Sequence, residues 1–115
     1  MAELNGKVKW PHGPADVVTF VPAANVSLAI ANQLTYAKGT VALAADMTLA
    51  FTKDGQILPG ARVVVEALSD GTARSVICGT GAKGTTEAGV INKTKKIVFE
   101  FDGTNFVLMS ARQID

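Results

Sequence analysis

A chain of 115 residues makes one domain, with a folded surface of roughly 6,000 Å² against roughly 17,000 Å² for the open chain, so about two thirds is buried on folding. Hydrophobic residues make up 48% and charged residues 18%, the reverse of a disordered composition. Eleven Lys and Arg against ten Asp and Glu leave a net charge of +1, too little for phosphate neutralisation to drive nucleic-acid binding.

One cysteine, Cys78, forms no internal disulfide, and one histidine, His12, leaves no His/Cys set for a zinc site. No cofactor is expected. The first residues carry no basic segment followed by an apolar run, and no apolar stretch approaches the roughly 20 residues of a membrane span. The sequence therefore reads as a chain made in the cytoplasm, without membrane association.

Residues 1–16 form an irregular N-terminal arm, because Pro11 and Pro14 forbid both helix and central strand. Residues 17–115 form the β domain, where the hydrophobic period is 2. Val26, Leu28 and Ile30 alternate with Ser27 and Ala29, Val41 and Leu43 alternate with small residues, and Met47, Leu49 and Phe51 alternate with Thr48 and Ala50. Turn signals at Lys38-Gly39, Ala44-Ala45-Asp46, Lys53-Asp54-Gly55 and Pro59-Gly60 separate them at the spacing of an antiparallel meander.

Arg62 to Leu68, with Val63, Val64 and Val65, predicts a central strand covered on both faces. Asp70-Gly71-Thr72 then predicts a hairpin into Arg74 to Cys78. Residues 79–92 are too rich in glycine for a regular element and read as a long loop. Lys95 to Phe101 and Asn105 to Ala111 flank Asp102-Gly103-Thr104 in the clearest hairpin of the chain, with Ile97, Phe99 and Phe101 on one face. The class is all-β: a small antiparallel sandwich or flattened barrel of about eight short strands.

Catalytic chemistry finds no constellation. The only histidine lies in the arm, away from any serine or cysteine nucleophile, and an enzyme requires His12 ordered beside one. Of the carboxylates, Asp46, Asp54, Asp70 and Asp102 fall in predicted turns, where aspartate bonds nearby backbone. Gly79 to Thr86 lacks the order of a phosphate loop, since Lys83 precedes the last glycine. Cys78 reads as core filling, and Lys93, Lys95 and Lys96 as edge protection. Trp10 gains nothing from solvent in a polar arm, whereas tryptophan often anchors interfaces. Lys7, Lys9, Trp10, Pro11 and His12 are the candidate docking residues.

The order of motifs resembles a β-module of tailed-bacteriophage virion appendages, over about residues 26–110. The stretches that carry it are Val41 to Leu49, Leu58-Pro59-Gly60, Arg62 to Glu66, Arg74 to Gly79 and the closing hairpin Phe99 to Phe106. Two positions depart: Cys78 stands where such modules often carry Trp, and Phe106 where they often carry Trp or Tyr. The resemblance implies a non-enzymatic structural protein of the virion: a head-fibre, capsid-decoration or tail-fibre subunit. It would dock on the major capsid or another virion protein through its arm and self-associate as a homotrimer or homodimer. The alternative is a module for host attachment that binds a receptor or surface glycan.

Overall fold

The computed structural model describes residues 16–115, which form nine strands. They are β1 (Asp16–Phe20), β2 (Asn25–Ile30), β3 (Leu34–Gly39), β4 (Met47–Lys53), β5 (Arg62–Leu68), β6 (Val76–Cys78), β7 (Ala82–Lys83), β8 (Thr94–Phe101) and β9 (Phe106–Gln113). β1 opens at Asp16, the last residue of the expected arm. A six-stranded sheet runs in the order β1-β3-β5-β8-β9-β7, and a three-stranded sheet in the order β2-β4-β6. The all-β class and the two packed sheets are those the period-2 pattern requires.

Strand pairing departs from the expected antiparallel meander. From β1 to β6 the chain alternates between the sheets, and each strand stacks parallel on the one two elements earlier: β3 on β1, β5 on β3, β4 on β2, β6 on β4. The result is a flattened parallel coil. Only β5, β8 and β9 pair antiparallel. Short turns do connect successive strands, but they carry the chain across the core to the opposite sheet rather than back along the same one. Turns stack as well: the Gln33 amide accepts from the Leu58 N–H at 2.7 Å, and the Arg62 N–H donates to the Gln33 carbonyl at 2.8 Å.

Five local expectations change with the topology. The hairpin through Asp70-Gly71-Thr72 does not form, because β6 pairs with β4 in the other sheet. The strand expected at Val41 and Leu43 reduces to one bridge between Leu43 and Ser69, while Lys38-Gly39, read as a turn, ends β3. Val64 faces outward from β5 and is half-buried, whereas Val63 and Val65 are fully buried. Strand β8 lies inside its sheet, so Lys95 and Lys96 protect no edge; they pair with Glu87 and Glu66.

The core lies between the sheets. Phe20, Ile30, Leu43, Met47, Leu49, Ile97 and Phe99 are buried there, and Phe51 meets Phe99 edge-on with 4.9 Å between ring centroids. Apolar burial at about 25 cal/mol per Å² makes this layer the main source of stability. Residues 79–92 are not a loose loop. Glycine lets them close one side of the coil: the Gly79 N–H donates to the Leu49 carbonyl, the Phe51 N–H to Thr80, and the Phe106 N–H to Gly81, which joins the two sheets. β7, within this run, adds to β9.

Candidate interaction surface

The aspartates expected in turns hold backbone. Asp54 accepts from the Gln56 N–H at 2.8 Å, Asp46 from the Ser75 N–H at 2.8 Å, and Asp102 from the N–H groups of Thr104 and Asn105, each at 2.8 Å. Those last two bonds hold the Asp102 carboxyl below the usual carboxylate range. Asp70 is lowered first by the Arg74 guanidinium, whose Nε donates at 2.9 Å, and then by the Thr72 N–H. Cys78 packs half-buried against the core, and burial pushes its thiol up, away from nucleophilic use. Among the described residues no group of three His, Cys, Asp or Glu could hold a metal ion. The candidate docking residues Lys7, Lys9, Trp10, Pro11 and His12 lie outside the described residues.

The organised surface is the outer face of the six-stranded sheet. Side chains alternate across a strand, so Val17, Tyr36, Val64 and Val98 share a row that runs across β1, β3, β5 and β8, ending beside Ser110 of β9. At its far end the bulge between Val98 and Phe99 pushes out Met109, which is 57% exposed, and Val17 at the near end is 68% exposed. Between these ends Tyr36, Val64 and Val98 are half-buried, and among the described residues no strand of the other sheet pairs or packs on this side. The stripe is apolar where a solvated sheet face would be polar.

Two charged rows flank the stripe. On one side Lys38, Glu66, Lys96 and Arg112 stand in register. Glu66, only 15% exposed, accepts from the Tyr36 hydroxyl at 2.5 Å, and lies 3.6 Å from Lys38 Nζ and 3.9 Å from Lys96 Nζ. The Lys96 ammonium sits 5.3 Å from the centre of the Tyr36 ring and is raised above the usual lysine range by the Tyr36 oxygen first, with Glu66 adding. On the other side Leu34, Arg62, Glu100 and Val107 align, with Arg62 Nη2 3.9 Å from Glu100 Oε1. Beyond Glu100 a cleft of about 400 Å³ opens between the Pro59-Gly60 turn and Val107 and Met109.

Sequence reasoning missed this surface. Tyr36, Glu66, Lys96, Arg62 and Glu100 occupy outward positions of their strands, a period-2 signal that was readable. Which of them stand side by side depends on parallel registers across long connections. No family model, curated protein or solved structure matches the chain.

Proposed function

We propose that this chain is a non-enzymatic structural protein of a bacteriophage virion, a head-fibre, decoration or tail-appendage subunit. It docks on the particle through residues 1–16 and self-associates through its β domain. One observation supports the self-association most directly: the apolar stripe on the outer face of the six-stranded sheet, bordered by ordered charge rows. An assembly subunit uses such a face, whereas an isolated enzyme has no need of one. Among the described residues, the titratable groups that have polar partners serve turns and strand pairs. The order of the strand and turn motifs supports the virion setting.

The glycan-binding alternative draws less support. All five phenylalanines are buried in the core, so none is available to stack on a sugar ring. Proteomics of gradient-purified particles tests the reading: the chain is expected at a fixed copy number per particle, and W10A is expected to lower that number without altering the far-ultraviolet circular dichroism of the chain. Absence from purified particles, with binding of the isolated chain to cells or glycans, overturns it.

A further inference from the structure

We infer that two copies of this chain pack through the outer faces of their six-stranded sheets, about a two-fold axis running along the Val17-Tyr36-Val64-Val98 stripe. This deepens the self-association part of the proposed function by naming the partner and the face.

Charge register selects the axis. Packed sheets keep their strands within about 30° of alignment, so a two-fold axis in the plane of the face runs either along the strands or along the stripe. An axis along β5 sets Glu66 against its own copy and Lys38 against Lys96, because Lys38 and Lys96 lie on either side of Glu66. That arrangement brings like charges together, with Arg62 also against its own copy. An axis along the stripe exchanges the two flanking rows instead, since each lies two residues, or about 7 Å, from the stripe. Glu66 then faces Arg62 of the second copy, and Lys96 faces Glu100, because Arg62 and Glu100 occupy the corresponding positions of the same two strands, β5 and β8. Both contacts occur twice. Lys38 lies over Leu34 and Arg112 over Val107, so no like charges meet.

Between the rows, Val17, Tyr36, Val64 and Val98 pack on their own copies and leave water. The face is about five strands wide and five residues long, roughly 24 by 17 Å; the two copies together bury about 800 Å², the size of a weak, concentration-dependent dimer. A symmetric interface that self-pairs in this way is closed, so the assembly stops at two copies.

The test exchanges charges within a row. In E66R/K96E the pair between β5 and β8 survives with its signs swapped, but across the axis Arg meets Arg and Glu meets Glu. R62E/E100K does the same from the other row. Sedimentation equilibrium of the wild-type chain at tens to hundreds of micromolar is expected to give twice the 12.0 kDa chain mass. Each double variant is expected to lose roughly tenfold or more in dimer affinity, and an equimolar mixture of the two is expected to regain it, because in the mixed dimer every facing pair is again opposite in sign. If the charge variants fail to fold, V64C in a C78S background serves: Val64 lies on the axis, and a short bis-maleimide should link two copies.

A wild-type mass of one chain overturns the inference, as do a trimer, double variants that dimerise like the parent, or a mixture that stays monomeric. Failure here is separable from failure of the virion reading. A monomer that still decorates particles removes only this interface, and a dimer absent from particles removes only the virion role.

Discussion

Thr35 is the most buried polar side chain of the domain, and its hydroxyl has no hydrogen-bond partner. It lies on the inner face of β3, where valine has nearly the same shape. Removing an unpaired buried hydroxyl removes its desolvation cost, so T35V is expected to raise stability by about 1 kcal/mol in urea denaturation. Phe99 and Val64 make a contrasting pair on adjacent strands. Phe99 is fully buried and in edge contact with Phe51, so F99A is expected to cost about 3 to 5 kcal/mol. V64A is expected to cost less than about 1.5 kcal/mol in the isolated chain, because only part of that side chain leaves water there. Asp70 and Asp102 contribute to the response to acid. Both are lowered in the folded state, so the unfolded chain binds the extra protons, and the stability they add is present above the unfolded value of about 4 and lost as pH falls through the folded values. Thermal melts are expected to be flat from pH 5 to 7 and to fall below pH 4, with a shallower fall in D102N.

At the scale of elements, the sequence carries strand content far better than strand partnership. The alternation in Val26, Leu28 and Ile30, in Met47, Leu49 and Phe51, and in Ile97, Phe99 and Phe101 marks three strands, and all nine of these residues are buried. The last hairpin is legible for the same reason and because Asp102-Gly103 fits its turn, with Gly103 at φ +105°. β3 was hidden because Leu34, Thr35 and Tyr36 mix apolar and polar residues on both faces, with a hydroxyl buried. Parallel stacking was hidden because successive coils differ in length: Asp16 pairs with Thr35 but Thr35 with Val63, so no repeat period appears. The glycine run was legible as irregular but not as a closure. Its constraint sits at Gly81, where φ is +80° and a side-chain carbon would lie 2.3 Å from the Phe51 carbonyl oxygen. G81A must break the contacts that hold the two sheets together there, and is expected to cost at least about 2 kcal/mol. Faster amide exchange at Phe51 and Phe106 would locate the damage, since their N–H groups donate to Thr80 and Gly81.

At the scale of the whole molecule, the two sheets give the chain two kinds of surface, one sealed against the other sheet and one left outside. The inner faces were foreseeable from hydrophobicity, while the outer face acquires meaning only when Lys38, Glu66, Lys96 and Arg62 are brought into register by chain segments far apart in sequence. The parallel coil also bears on how the domain reaches its native state. Only β8 and β9 pair across a short connection; every rung from β1 to β6 must wait for an intervening strand to be laid in the opposite sheet. Contacts of such long sequence separation make for slow folders, in milliseconds to seconds. The β8–β9 hairpin, joined early by β5, is expected to be the nucleus on which the coil winds backward toward its N-terminal rung. Stopped-flow refolding should then show I97A slowing folding, with a φ-value above about 0.5, while L28A in β2 mainly speeds unfolding. On a ribosome, where the N-terminal rung emerges first, the same order means that β1 to β4 stay unpaired until the last hairpin has been made, and the chain is open to wrong partners for that whole interval.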